Sequence, residues 1–250
     1  MIEMFEEIVN GIEVIHAAPA GKQGHALPTI FFYHGFTSSK EVYAYFGYAL
    51  AQAGFRVIMP DAAMHGARYN GNADERLSQF WEILRSNLDE LPGFKLAYQQ
   101  RGLLIEGKVA VGGASMGGMT TLGALGRYPW VDVAASFMGS AYFHSLSRRL
   151  FVPQQAGRPL EGEALAQRLA FLDEYDMSAA PERLGNRPLL LWHGEADDLV
   201  PADESARLEQ ALRQAGRAEQ LTYLTEPQIG HKITPAALQA CVAFFTRHLG

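Results

Sequence analysis

Apolar and polar positions along the 250-residue chain fall into two alternating kinds of segment. Short runs rich in β-branched and aromatic residues, each closing on turn residues, cover 29–34, 55–60, 108–113, 131–138, 188–193 and 220–225 and predict strands. Several are apolar at every position, as parallel strands covered by helices on both faces must be. Longer segments of helical period lie between them: 41–53 ending at Gly54, 74–91 bounded by Pro92-Gly93, 119–127, 201–215 ending at Gly216, and 235–249. This rhythm predicts an α/β fold with a mainly parallel, twisted sheet and helices on both faces. Residues 8–17, followed by the Gly- and Pro-containing stretch 19–28, predict an antiparallel hairpin at one edge. The rhythm breaks once, at 144–186, where Pro153, Gly157, Pro159 and Gly162 surround a helical run near 163–173. This stretch is expected to be a small helical cap inserted over the sheet's C-terminal edge, within a single domain spanning 1–250. Neither a repeat nor a low-complexity tract interrupts the chain.

Composition narrows the partners. Lys and Arg number 21 against 27 Asp and Glu, a formal net charge of −6. With no run of five like charges, neither nucleic acid nor an anionic membrane surface is expected as a partner. The single cysteine, Cys241, leaves no internal disulfide. An acidic N-terminus in place of a basic leader, and no apolar stretch near the ~20 residues that span a bilayer, favour a cytoplasmic protein, monomeric or a small homo-oligomer.

The chemistry centres on Gly113-Ala114-Ser115-Met116-Gly117, which leaves the strand at 108–113 and opens the helix at 119–127. This is the context of a nucleophile elbow, a turn so sharp that side chains at 113 and 117 would strike neighbouring backbone. A serine hydroxyl needs a base, and the base needs an orienting acid. Of eight histidines, His231 is the candidate base, because it lies in a loop between the last predicted strand and the last helix. His34 and His193 end strands in His-Gly steps and read as supporting residues, while His65 and His144 are possible pocket residues. For the acid, Asp197 and Asp198 compete on the residues alone, since Asp198 suits a helix cap. The oxyanion of a tetrahedral intermediate needs two backbone N–H donors, expected from Met116 and Phe36. Phe36, Met116 and Phe143, with Trp81 and Tyr142, are the candidate lining of a small to medium acyl pocket. No Gly-X-Gly-X-X-Gly follows the first strand and no metal-ligand spacing occurs, so no cofactor and no metal are expected.

With Ser115, Asp197, His231 and His34-Gly35 in place, the chain resembles the α/β-hydrolase superfamily over essentially its full length. The stretch His193-Gly194-Glu195-Ala196-Asp197-Asp198-Leu199-Val200-Pro201 is similar to the His-Gly-X-X-Asp-X-X-Val-Pro pattern of the branch shared by dienelactone hydrolases and prolyl oligopeptidase-like domains. In that register the acid is Asp197. Residues 31–41 and 51–61 are similar to small bacterial carboxylesterases of the YjfP type. The resemblance implies a serine carboxylesterase acting on short- to medium-chain acyl esters, a small-molecule substrate class, through an acyl-enzyme intermediate. Thioesters and small amides are the alternative substrates, and a non-catalytic ligand-binding hydrolase fold is the alternative class. Dienelactone hydrolases carry a cysteine nucleophile, so serine at 115 excludes that activity from the expectation.

Overall fold

A computed structural model describes residues 1–155, 158–178 and 180–250 of the chain. Two strands open it, β1 (Ile2–Val9) and β2 (Ile12–Pro19), followed by β3 (Leu27–Tyr33), α1 (Ala44–Gln52) and β4 (Arg56–Pro60). Next come α2 (Ala73–Ser78), α3 (Phe80–Gln100), β5 (Leu104–Ala114), α4 (Met116–Arg127), β6 (Val133–Phe137) and α5 (Phe143–Leu146). The last part holds the short pair β7 (Gln154–Gln155) and β8 (Arg158–Pro159), α6 (Gly162–Leu169), β9 (Leu189–Gly194), α7 (Asp203–Gln214), β10 (Leu221–Glu226) and α8 (Pro235–His248). The main sheet has eight strands in the order β1-β2-β4-β3-β5-β6-β9-β10. From β4 to β10 every pairing is parallel, and only the β1–β2 and β2–β4 pairings are antiparallel. The expected mainly parallel sheet is therefore the one observed.

Alternate side chains explain why both faces are covered. Phe31 and Tyr33 of β3 and Val111 of β5 pack with α3, α4 and α7 on one face, where Leu84, Leu88, Leu122 and Leu208 are buried. Ile30 and Phe32 of β3 and Ala110 of β5 pack with Phe46 and Leu50 of α1 and Phe245 of α8 on the other. Each fully buried large apolar side chain contributes about 1.5–3 kcal/mol of transfer free energy, so the central strands are held from two sides. Among the described residues no helix is long and apolar enough to cross a membrane.

Three expectations change. The hairpin lies within residues 2–19, earlier than the 8–17 stretch suggested, and turns at Asn10-Gly11, whose φ angles of 54° and 81° form a left-handed pair that matches strand twist. Its first strand is an exposed edge carrying Glu3, Glu6 and Glu7, so it lacked the apolar run that marks the inner strands. The helix expected at 74–91 is two helices, the first capped by Asn72, whose side-chain oxygen accepts the Glu75 N–H at 3.0 Å. The second does not stop at Pro92-Gly93 but runs on to Gln100. Pro92 has no N–H for the Leu88 carbonyl one turn earlier, and the Tyr128 hydroxyl donates to that carbonyl at 2.9 Å instead. Between β6 and β9 the 144–186 segment carries α5, the β7–β8 pair, α6 and short 3-10 turns. Gly157, expected as one of its turn residues, lies outside the described residues.

Candidate active site

Ser115 stands between β5 and α4 with φ 57° and ψ −117°, a conformation that an L-residue adopts only where its surroundings enforce it. Its N–H donates to the Phe137 carbonyl at 2.8 Å, which ties the turn to β6. A Cβ on Gly113 would lie 2.5 Å from the Gly117 carbonyl carbon, and one on Gly117 would overlap the Tyr33 carbonyl oxygen. The elbow therefore requires glycine at both positions. The first turn of α4 lies directly behind the serine and brings its positive dipole end there.

The structure brings Ser115, His231 and Asp197 together from three strand ends. Ser115 Oγ lies 2.8 Å from His231 Nε2, and His231 Nδ1 lies 2.7 Å from Asp197 Oδ2. An ionised carboxylate only accepts, so the proton sits on Nδ1 and the Nε2 lone pair faces the serine hydroxyl. This is the tautomer of a general base. Asp197 Oδ1 accepts the backbone N–H groups of Leu199 at 3.0 Å and Val200 at 2.9 Å. His193 Nε2 lies 2.8 Å from the Val200 carbonyl and 3.4 Å from Asp197 Oδ2, so its N–H points between two acceptors while Nδ1 accepts from the Ser205 hydroxyl at 2.7 Å. Burial alone would raise the Asp197 pKa, but the hydrogen bonds from His193, His231 and the Val200 N–H outweigh it and hold the group well below the usual carboxylate range. The competing Asp198 makes none of these contacts among the described residues.

The loop after β3 lies opposite. A Cβ on Gly35 would stand 2.9 Å from the Tyr43 hydroxyl, which would have to shift, and 3.5 Å from Ser115 Cβ, so the loop backbone passes close beside Ser115. Among the described residues the N–H groups of Phe36 and Met116 have no acceptor, leaving two donors beside Ser115. Two histidines fix this loop by the same device. His34 Nδ1–H donates to the Gly35 carbonyl at 2.7 Å while its Nε2 accepts the Ala62 N–H at 3.0 Å. His65 Nδ1–H donates to the Ala63 carbonyl at 2.8 Å while its Nε2 accepts the Thr37 N–H at 3.0 Å, holding Thr37 at φ 60°. Sequence reasoning missed this role for His65, and a histidine a few residues beyond β4 gives no local sign of it.

Burial disfavours the charged form of these rings. It lowers the pKa of His34, and brings those of His65 and of His16, buried between Glu7 and Arg56, down to about 4. Unfolded histidines titrate near about 6.5, so the unfolded chain binds more protons below that pH. The contribution of these histidines to stability is therefore fully present above pH ~6.5 and declines as pH falls toward ~4, by roughly 2 kcal/mol at pH 5 for each of His16 and His65. Urea midpoints at pH 7.5 and pH 5 should differ accordingly, and equal midpoints would contradict the neutral assignment.

A cavity of about 400 Å³ opens above Ser115 and His231. Phe36, Tyr43, Phe80, Met119, Phe151 and Leu199 line it. Of the residues expected there, Phe36 takes its place, but the side chains of Met116, Trp81, Tyr142 and Phe143 belong to the core beneath α3 and α4 and do not line the cavity. Trp81 misses because consecutive helical residues point about 100° apart, and Phe80 holds the cavity side. Tyr142 and Phe143 precede and begin α5, which packs inward, while Phe151, not singled out in the sequence, reaches the cavity from the same segment. His65 is buried behind the loop, and His144 lines a different cavity and pairs with Asp173 at 2.6 Å.

Residues 48–250 match the model of the prolyl oligopeptidase family. The whole chain is 49% identical over 252 residues to esterase YjfP of Escherichia coli (strain K12), with both proteins covered end to end. It is 33% identical over 255 residues, again covering both fully, to YitV of Bacillus subtilis (strain 168), named provisionally as an esterase. Among solved structures, TT1662 of Thermus thermophilus superposes with a TM-score of 0.79 at 21% identity, covering 100% of this chain and 98% of that one, a likeness of fold. By full-length identity, by the family match over most of its length and by its architecture, the chain belongs to the prolyl oligopeptidase family and is an enzyme of the α/β-hydrolase fold.

Proposed function

We propose that the protein is a serine carboxylesterase for short- to medium-chain acyl esters, working through a Ser115-His231-Asp197 triad and an acyl-enzyme. The observation that carries this is the unbroken hydrogen-bonded chain from Ser115 Oγ through His231 to Asp197, with His231 in the base-competent tautomer. His231 Nε2 takes the hydroxyl proton as Oγ adds to the ester carbonyl. The imidazolium so formed lies against Asp197, which carries its negative charge throughout. The carbonyl oxygen becomes an oxyanion facing the N–H groups of Phe36 and Met116. Collapse expels the alcohol, to which His231 returns the proton, and leaves Ser115 acylated. Water then adds to the acyl carbon with His231 again as base, releasing the carboxylic acid and restoring the serine.

Full-length identity to an esterase supports the ester as substrate, and the apolar lining around Ser115 supports an acyl group as the part that it holds. The test combines labelling and turnover. A fluorophosphonate should modify Ser115, read by mass spectrometry of the peptide that contains it, and p-nitrophenyl esters from acetate to laurate should be hydrolysed fastest at the short end. Absence of both labelling and turnover in folded protein would overturn the proposal.

A further inference from the structure

We propose that Phe151 and Leu77 form a partition that sets the acyl-chain length, closing the catalytic cavity against a second cavity able to take a longer aliphatic chain. This inference rests on the esterase reading above. The second cavity, of about 620 Å³, is lined among the described residues by Asp74, Leu77, Ser78, Phe151, Val152, Gln154 and Pro159. Phe151 and Leu77 line both cavities. No other described residue does, so these two side chains separate the space above Ser115 from the space under the β7–β8 pair.

Phe151 is held in place from two directions. Its φ of 50° lies in the left-handed region, which an aromatic residue occupies only where contacts compensate. Its carbonyl accepts the indole N–H of the buried Trp81 at 3.1 Å. Its ring stacks on Phe80 at 4.2 Å and 23° and leans on Phe36 at 4.9 Å. The α3 pair Phe80-Trp81 thus grips one residue of the insertion by ring and by carbonyl, and directs its side chain across the cavity end. Leu77 completes the partition from α2 and is half exposed, so it contributes shape with little burial. An acyl chain that outgrows the first cavity meets a packed aromatic wall, although apolar room from Val152 and Pro159 lies immediately behind it.

The test is the kcat/KM ratio for p-nitrophenyl decanoate over acetate in wild type, Phe151→Ala and Leu77→Ala. Phe151→Ala should raise this ratio at least about tenfold, since each added methylene that finds an apolar pocket is worth roughly 10-fold or more. Leu77→Ala should raise it by a smaller factor, and it decides alone if Phe151→Ala fails to fold by circular dichroism. Unchanged ratios in folded, active variants would overturn the partition while leaving the esterase reading intact. Wild type inactive on every ester would overturn both.

Discussion

Ser115→Ala protein is expected to fold normally and to lose ester turnover by about 10⁵- to 10⁶-fold in kcat. The backbone reason for normal folding is specific. The Ser115 N–H bond to Phe137 and the glycines that allow the elbow are untouched, and alanine meets the same φ of 57° as serine. The stability change is then the loss of one hydrogen bond to His231, about 1 kcal/mol. On the proposed mechanism the kinetic loss is large, because without the Ser115 hydroxyl only the Phe36 and Met116 donors and binding remain to act on water. Measuring kcat on a freshly purified mutant, with wild type titrated by fluorophosphonate, gives the ratio directly. Retention of more than about 1% of wild-type turnover would exclude Ser115 as the nucleophile.

Asp197→Asn should be nearly as severe, about 10⁴-fold in kcat, with KM little changed. An amide must place one oxygen and one NH₂ where two carboxylate oxygens stood. With NH₂ at the Oδ1 position it would face two backbone donors, the N–H groups of Leu199 and Val200. With NH₂ at the Oδ2 position it faces His231, which relieves the conflict by moving its own proton to Nε2. The second arrangement wins, and it turns the base away from its task, because an Nε2–H cannot accept the Ser115 proton. Raising pH does not restore the lost tautomer, so the deficit should persist across the profile. A mutant within tenfold of wild type would mean that Asp198 or another group orients His231.

What the sequence disclosed and what it hid divide along a physical line. Ser115, its flanking glycines and the strand-to-helix context are legible because the five residues of the elbow are consecutive, although the Tyr33 backbone that demands glycine at 117 comes from β3. The acid was resolved only by resemblance, because Asp197 and Asp198 differ in which neighbours they reach and not in kind. Pro92-Gly93 read as a helix end, and the reading failed because the compensating donor, the Tyr128 hydroxyl, comes from 36 residues further along the chain. Trp81, Tyr142 and Phe143 were sensible pocket candidates by type. Which face of α3 looks into the cavity, and which residue of the insertion reaches it, depends on packing that no local pattern encodes. The neutral histidines behind the Gly35 loop are hidden for the same reason.

The strand order β3-β5-β6-β9-β10 also constrains how the chain reaches its working form. Ser115 follows β5, Asp197 follows β9 and His231 follows β10, so the 2.7–2.8 Å contacts among them close only after parallel strands far apart in sequence have paired. Such pairings form slowly, because the entropy of long loop closure is lost before the contacts repay it. The triad spans residues 115–231, so during refolding turnover is expected to return only once the last of those strands has paired. Turnover in this enzyme is accordingly expected to be a global readout of the fold, and the elbow shares that dependence, since its turn is tied to Phe137 of β6 and its Gly117 lies against Tyr33 of β3.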